Sequence, residues 1–510
     1  MDTPQPARGI LPALRDLGSR AFTLDVRSLA AFRVAIGLIL VADCLLRTRD
    51  FGLMFTPDGI FPPDLLRQFH GDPFLWSLAL LDDSAWWGGC VLAAEGVAGG
   101  CLAVGVGTRL ATAVAWVALV SVIRRTSPAT NAGDAWLACL VFWSMFLPLG
   151  AVWSVDAWRR GRASLAAAPP TVVRSVASAA LVLEVVAVYL GAGLSKCNAT
   201  WFSGAAMAHA LSVHDHGTWL GEALARADWL ARPLTWSVVF AELGAPILLV
   251  LRPTPRVRML TALAFMAFHL AIWVTMSVGL FAAIGIAAWL PLLPAQFWDR
   301  ATGVVAVPPR VASLRGPAAW ACATALAIAL ASFLQIFGPW RSTRPPRPLM
   351  IAAHALCLVQ EWAMFGAVPP QEQWVYGRAE LIDGSVVDLL RNGRPFQRDR
   401  PAGGFSSLAH HRWHKFFWVL PRAHVRIFGP AAAAALARDW NARHGAAHQV
   451  RRLEIRFGVQ GVAAPDTPLQ EMLVASWPTS GPDGQGNLDR LLDTVAGPSR
   501  DADRSAGAAR

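Results

Sequence analysis

Apolar residues fill most of this chain in long, nearly uninterrupted windows. Each window approaches the length of a bilayer span, about 20 residues for about 30 Å of hydrocarbon. We draw nine, at residues 29–46, 85–106, 108–123, 135–152, 175–194, 234–251, 259–276, 278–293 and 318–337. The pattern predicts an all-α polytopic membrane bundle of about nine transmembrane helices over residues 29–338.

The composition supports a membrane protein. The chain is 55% hydrophobic and 15% charged, which is too apolar for a soluble globular protein of 510 residues. A net charge of +11 could indicate nucleic acid binding, but the arginines are spread through loops and both tails, without a basic helix interleaved with aromatic residues. We therefore expect a lipid bilayer as partner and no nucleic acid.

The arginines predict an orientation. They collect in the N-terminal segment and in the loops after windows four, six and eight, which fall on one side if nine spans alternate. By the positive-inside rule that side is cytoplasmic, so segment 1–28 is cytoplasmic and the acidic loop 50–84 is outside. Arg124 and Arg125 are the discordant pair, since they fall on the outer side.

The region after the last window predicts a small extracytoplasmic α+β domain over residues 339–464. Asp383-Gly384 between two alternating runs is a hairpin signal. We expect strands at 374–381, 385–390 and 451–459, a helix at 431–443, and a membrane-surface helix at 350–365. The tail 465–510 is rich in Gly, Pro, Asp and Ser and predicts disorder.

Lys196 is one of only two lysines, the other being Lys415, in a chain that otherwise uses arginine. It ends the fifth window, at the predicted outer side. A lysine at such a place usually extends its ammonium to the headgroups. Unlike arginine, a desolvated lysine can also become a neutral base. Tyr189 lies seven residues earlier and shares its helix face to within about 20°, so the two could line a cavity.

Other ionisable residues inside the windows are expected to face the protein interior, because a charge facing lipid is costly. They are Asp43, Glu95, Glu184, Glu242 and His269. His269 can meet the Lys196 region if their helices are neighbours, either as an interhelical hydrogen-bond partner or as a catalytic group. Seven cysteines without a Cys-x-x-Cys pair, and histidines without a recognised spacing, indicate neither a disulfide framework nor a metal site.

Four stretches, in order, resemble the vitamin K-dependent gamma-carboxylase family and its bacterial relatives, which share the horizontally transferred transmembrane (HTTM) domain. They are Arg33 to Asp43 with Phe55-Thr-Pro-Asp-Gly-Ile-Phe-Pro, Asn131-Ala-Gly-Asp with Trp153-Ser-Val-Asp, Ala192-Gly-Leu-Ser-Lys-Cys-Asn-Ala-Thr-Trp-Phe-Ser-Gly, and Phe268-His-Leu-Ala-Ile-Trp-Val-Thr-Met-Ser-Val-Gly-Leu-Phe. The resemblance covers roughly residues 25–300.

The resemblance implies chemistry on a reduced quinone, either vitamin K hydroquinone or menaquinol, with oxygen and carbon dioxide as cosubstrates if the reaction is a carboxylation. Lys196 matches the family's lysine base and His269 its positioning histidine. Tyr189, Trp201, Asn131 and Asp134 are the expected quinone-binding residues. A histidine that the animal carboxylase has next to the region of Asn131 is missing here, unless Asp134 substitutes for it. The resemblance further implies a bacterial cytoplasmic membrane and an extracytoplasmic protein or peptide substrate.

Two other classes of function stay open at this point. A proton-coupled transporter would use Glu95, Glu184 and Glu242 as a relay. A noncatalytic membrane scaffold would present the C-terminal domain to a partner.

Overall fold

The computed structural model describes residues 10–71, 74–162, 170–212, 217–303, 310–334, 346–366, 368, 371–401, 403–461 and 469–478. Two compact units form within it. The first comprises Met1–Phe51, Asp72–Arg125 and Thr130–Pro369; the second comprises Gly52–Gly71, Thr126–Ala129 and Pro370–Arg510.

Helices occupy most of the described chain. They are α1 (Ile10–Ala21), α2 (Val26–Thr48), α3 (Phe51–Met54), α4 (Pro63–His70), α5 (Ala85–Val104), α6 (Thr108–Arg125), α7 (Ala132–Ser144), α8 (Val155–Arg162), α9 (Val176–Ser195), α10 (Ala199–Phe202), α11 (Ala206–Ser212), α12 (Trp219–Arg226), α13 (Asp228–Leu251), α14 (Pro255–Thr275), α15 (Phe281–Trp289), α16 (Ala295–Thr302), α17 (Pro317–Leu334), α18 (Arg347–Ala355), α19 (His411–Val419) and α20 (Gly429–Arg443).

Six of these helices are long and apolar enough to cross a bilayer: α2, α5, α9, α13, α14 and α17. The nine predicted spans are not confirmed. Helix α6 carries three arginines, α7 has only 13 residues, and α15 with its following turn meets α16 at a bend of 92°, which adds at most a seventh span. Hydropathy alone did not reveal where α7 and α15 end.

Small residues let α2 and α5 pack closely. A Cβ at Gly99 of α5 would lie 2.9 Å from the Gly37 carbonyl oxygen of α2 and 2.8 Å from the Leu40 side chain. Close backbone approach through glycine is a common way for helices to associate in membranes, where lipid tails compete for apolar contacts.

A short sheet joins three connecting segments of the first unit. Strand β1 (Leu24–Asp25) pairs antiparallel with β2 (Val172–Val173), which pairs parallel with β3 (Val311–Ala312). The predicted orientation puts all three segments on the cytoplasmic side, and their pairing requires that they share a side.

Arg124 and Arg125, the two arginines that did not fit the predicted orientation, are buried at the end of α6. The Arg124 guanidinium donates to the carbonyls of Trp76, His354 (2.7 Å) and Ala355 (3.1 Å), and Arg125 is only 2% exposed. Arg124 therefore stabilises the C-terminal end of α18, where helix carbonyls lack partners. These arginines serve packing within the protein, so they say little about orientation.

The second unit is built on a five-stranded antiparallel sheet of order β6-β5-β4-β7-β8. Its strands are β4 (Gln371–Leu381), β5 (Val386–Asp388), β6 (Arg394–Pro395), β7 (Val450–Gly461) and β8 (Gln470–Trp477). The predicted β4–β5 hairpin, the β7 strand and the α20 helix are present.

One prediction for this region was wrong. Disorder was expected from residue 465, yet residues 470–477 form β8, which pairs with β7 and buries Met472 and Val474. The short apolar run Met-Leu-Val-Ala, flanked by polar residues in Gln-Glu-Met-Leu-Val-Ala-Ser-Trp, is consistent with a buried strand. Residues 479–510 lie outside the described part of the chain.

The loop between α3 and α4 also belongs to this unit. Ile60 and Phe61 are fully buried, and Phe61 makes edge-to-face contacts with Phe416 and Phe428 at centroid distances of 5.2 and 5.7 Å. The predicted orientation assigned this loop and the C-terminal region to the same side of the membrane, as their joint packing requires.

The packing of α2 on α5 gives a matched pair of variants. Gly99→Ala is expected to destabilise the protein by about 1–3 kcal/mol, because its new methyl group meets α2. Gly100→Ala has nothing within 4 Å of the added Cβ and is expected to be neutral or to stabilise by up to about 1 kcal/mol, since alanine favours helix. Thermal unfolding in detergent checks this, and equal effects of the two variants would contradict the close approach.

Candidate functional site

Lys196 lies at the C-terminal end of α9 and points into the protein. Its side chain is 4% exposed, and Nζ donates to Glu242 Oε2 at 2.8 Å, to the Met364 carbonyl at 2.9 Å and to the Ala192 carbonyl at 3.4 Å. The Trp201 ring centroid lies 5.2 Å from Nζ. Lys196 is therefore a buried, partnered lysine and not a headgroup anchor.

Gly193 of α9 and Pro246 of α13 lie near the two members of the pair along their helices. Gly193, two residues before the end of α9, faces α13, where a Cβ would lie 2.9 Å from Leu243 and 3.2 Å from Cβ of Glu242. Pro246 lies four residues after Glu242 within α13 and has no amide hydrogen for the Glu242 carbonyl. Glycine thus permits the close approach that lets a carboxylate on α13 reach a lysine on α9.

A non-helical segment after α18, residues 356–366, supplies backbone acceptors; we call it the strap. The Met364 carbonyl accepts a hydrogen bond from Lys196 Nζ. The Phe365 carbonyl accepts from Trp201 Nε1 at 2.9 Å, and the Gly366 carbonyl accepts from Asn198 Nδ2 at 2.8 Å. Phe365 has a φ of 54°, a left-handed conformation that is uncommon for an aromatic residue and is typical of constrained functional segments.

The strap takes the place of most of the membrane-surface helix that was predicted over residues 350–365. Only its beginning is helical, since α18 ends at Ala355 and Cys357 has a φ of 54°. Because the helix ends there, the carbonyls that follow can accept other hydrogen bonds. Three of them accept from the side chains of Lys196, Asn198 and Trp201.

Lys196 and Glu242 line a cavity of about 220 Å³ in the first unit. Its walls are mainly apolar and aromatic, and they include Trp136, Tyr189, Trp201, Phe268, Phe281 and Phe365. Small apolar ligands bind in such cavities, with a few polar groups that fix orientation.

A chain of polar groups crosses the cavity wall. Trp289 Nε1 donates to the Tyr189 hydroxyl oxygen at 2.7 Å, and this hydroxyl lies 2.5 Å from His269 Nε2. Because the phenol oxygen already accepts from Trp289, we assign its proton as donating to Nε2, which places the imidazole proton on Nδ1. His269 Nδ1 is buried and makes no hydrogen bond within the described chain.

Gly285 makes room for this imidazole. A Cβ on Gly285 would lie 2.2–2.4 Å from three atoms of the His269 ring, closer than side chains approach. The interhelical contact between α14 and α9 through His269 and Tyr189 therefore depends on a glycine in α15.

Four of the six residues predicted for the site line this cavity: Lys196, His269, Tyr189 and Trp201. Asn131 and Asp134 are not among its lining residues. The Asn131 side chain caps α7 by accepting from the amides of Gly133 and Asp134, and Asp134 returns the contact to the Asn131 amide. Asp134 also pairs with Arg47 of α2 at 3.1 Å.

The sequence carried a signal for that cap. Asn-x-x-Asp before an apolar run is a variant of the capping box. In contrast, no spacing rule links Lys196 to Glu242, which are 46 residues apart on different helices. The sequence analysis named Glu242 as an interior-facing residue and as a member of a transporter relay, but not as a partner of Lys196.

The other two relay glutamates are elsewhere. Glu184 Oε2 accepts from Trp143 Nε1 at 3.1 Å and from Gln360 Nε2 at 2.9 Å, and neither Glu184 nor Glu95 lines the cavity. His214 and His216, two of the histidines whose spacing matches no recognised metal site, lie outside the described residues.

Six apolar helices of membrane-spanning length within the described residues indicate a multi-pass membrane protein. Comparison with protein families matches the HTTM domain over residues 22–298, more than half of the chain. The chain therefore belongs to the HTTM domain family, a carboxylase-like family of membrane proteins. Neither a curated protein nor a solved structure matches it.

The Gly285 contact can be tested with the chain's own tyrosines. Tyr189 and Tyr376 are the only two, so 3-fluorotyrosine labelling gives two ¹⁹F resonances, and Tyr189→Phe assigns them. We expect Gly285→Ala to displace His269 and shift the Tyr189 resonance, with a loss of about 1–3 kcal/mol in stability. The Tyr376 resonance is the internal control, and an unmoved Tyr189 resonance would contradict the contact.

Proposed function

We propose that this protein acts on a reduced quinone, vitamin K hydroquinone or menaquinol, in the cavity beside Lys196. The observation that carries the proposal is the position of Lys196, which ends an apolar helix but turns its amine into an aromatic cavity and pairs with Glu242. A headgroup anchor has no need of such a cavity.

The lining fits a quinone ring. The volume of about 220 Å³ exceeds the roughly 150 Å³ of a cavity that holds benzene. Aromatic walls favour a flat ring through offset or edge contacts. Lys196, Glu242 and His269 are polar groups among mostly apolar neighbours, and they suit the oxygen atoms of such a ring.

When bound, a reduced quinone would supply an acidic hydroxyl and the electrons for reaction with oxygen. The protein's part is to hold the ring, to exclude water from it and to take a proton at the Lys196–Glu242 pair. His269, fixed by Tyr189, forms part of the cavity wall. The reaction is a carboxylation or related quinol-dependent chemistry, with carbon dioxide in the first case and an extracytoplasmic protein or peptide as the substrate.

Access from the bilayer supports a lipid-soluble substrate. Ser237 of α13 and Ala271 of α14 line the cavity and are themselves exposed. Apolar side chains exposed on the same helices include Phe240 and Leu270. Since α13 and α14 are apolar helices of membrane-spanning length, we infer that the cavity opens sideways into the hydrocarbon.

Replacing the lysine tests the proposal. Lys196→Ala is expected to lower quinone turnover by about 10²-fold or more, because the proton-accepting pair is broken. The measurement is mass spectrometry of the quinone pool, including its epoxide, in membranes that contain the protein. Lys415→Arg, at the only other lysine, is the control and should behave as wild type.

An unchanged quinone pool in wild-type membranes would contradict the proposal. Loss of transport in Glu184→Gln with normal quinone turnover in Lys196→Ala would instead favour a transporter.

Blocking the opening tests the route of access. Ala271→Trp is expected to lower quinone turnover on the order of tenfold, about 1.4 kcal/mol in the barrier, because its indole fills the gap beside Ser237. Ala264→Trp puts the same side chain at an exposed position of α14 that does not line the cavity and should have little effect. Equal turnover in both variants would contradict access at this opening.

A further inference from the structure

We propose that a corner of the first unit, at the turn between α5 and α6 and along α8, binds the headgroup of an anionic phospholipid. Arg109, Trp158, Arg159 and Arg162 form this corner, which we call the α8 corner. The inference does not rest on the proposed function, because the corner shares no residue with the cavity beside Lys196.

Backbone contacts hold α8 against the turn between α5 and α6. The Asp156 carboxylate, in the first turn of α8, accepts from the amides of Gly107 and Thr108 at 2.9 Å each. The Asp156 amide in turn donates to the Gly105 carbonyl at 2.9 Å. Because Thr108 is bonded to Asp156, Arg109 lies close to the start of α8.

The α8 corner carries positive charge that no described carboxylate pairs with. Its three arginines are exposed and form no ion pair within the part of the chain that the structure describes. Residues 96–133 and 157–183 contain neither Asp nor Glu, and both carboxylate oxygens of Asp156 already accept from backbone amides. On α16, which contacts the segment just before α8, Asp299 pairs with Arg27 at 2.9 Å. The corner therefore attracts anions from outside the chain.

The corner lies where an apolar helix of membrane-spanning length ends. Helix α5 ends at Val104, and Gly105 closes it in a left-handed conformation with a φ of 80°. Val104 and Leu110, on either side of the turn, are 59% and 72% exposed. Apolar side chains so exposed on such helices face the hydrocarbon, so arginines just beyond them reach the headgroup layer.

Trp158 supports the same depth. Its side chain is 55% exposed, and the Arg162 guanidinium lies over its ring, 4.0 Å from the centroid. Exposed tryptophans are enriched at the membrane–water interface. A guanidinium stacked on a ring is held in one plane and keeps its N–H groups for a phosphate, which it can bind through two hydrogen bonds.

These features fit an anionic phospholipid better than a nucleic acid. A lipid can place its phosphate at the arginines while its acyl chains cover Val104 and Leu110, whereas a nucleic acid has nothing to cover them. A zwitterionic lipid has the same phosphate but also carries a cation, which the arginines repel. The corner should therefore select lipids with a net negative charge, which concentrate at the cytoplasmic surface where the predicted orientation puts α8.

The test measures lipid binding to the purified full-length protein. Native mass spectrometry counts the lipids bound from micelles that contain phosphatidylglycerol or phosphatidylcholine with the same acyl chains. We expect wild-type protein to bind phosphatidylglycerol more tightly. Arg159→Gln with Arg162→Gln is expected to weaken the tightest phosphatidylglycerol binding about tenfold or more, since a basic residue near a charged membrane surface contributes roughly fivefold.

A second pair of arginines is the matched control. Arg226→Gln with Arg232→Gln removes the same net charge from exposed positions of α12 and α13, where each arginine lies near an acidic partner. This variant should bind phosphatidylglycerol like wild type. An equal loss in both double variants would show an effect of net charge alone and would overturn the assignment.

Two other results would also overturn it. One is equal binding of the two lipids by wild-type protein. The other is displacement of phosphatidylglycerol by inorganic phosphate beyond that caused by sodium chloride at the same ionic strength, which would assign the corner to a free anion.

Discussion

The ion pair between Lys196 and Glu242 is the constraint on which the rest of the site depends. Two opposite charges buried among aromatic side chains are stable only when each is hydrogen-bonded, since breaking such a pair leaves an unpartnered charge. The protein meets this demand with a carboxylate from α13 and backbone carbonyls from α9 and the strap. The architecture around the cavity follows from keeping these acceptors in place.

Glycines set the distances that the pair requires. Gly193 lets α9 approach α13, Gly285 makes space for His269, and Gly366 brings the strap to Ser195, where a Cβ would lie 2.7 Å from the serine hydroxyl. The left-handed backbone of Phe365 turns strap carbonyls toward Lys196 and its neighbours. The close backbone contacts and the constrained strap thus place backbone carbonyls next to a cavity that apolar side chains otherwise line.

Much of the fold and part of the candidate site were predictable from the sequence, because their signals lie in short stretches of neighbouring residues. Hydropathy located the apolar helices, the Asp383-Gly384 turn located the β4–β5 hairpin, and helical spacing put Tyr189 on the face of Lys196. The Lys196–Glu242 pair, the strap and the end of α7 were not predictable, because they depend on which helices become neighbours. Asn131 and Asp134, which were expected to bind the quinone, form the cap of α7 and are not among the residues that line the cavity. Their own spacing indicated the cap.

The contact of Lys196 with Glu242 at the cavity is the most direct test of this account. The chain has two lysines, so ¹³Cε-lysine labelling gives two NMR signals, with Lys415 as the internal reference. We predict that Glu242→Gln shifts the Lys196 signal and leaves the Lys415 signal in place, and that vitamin K hydroquinone added without oxygen shifts the Lys196 signal of the wild-type protein. A Lys196 signal that moves in neither case would contradict the account.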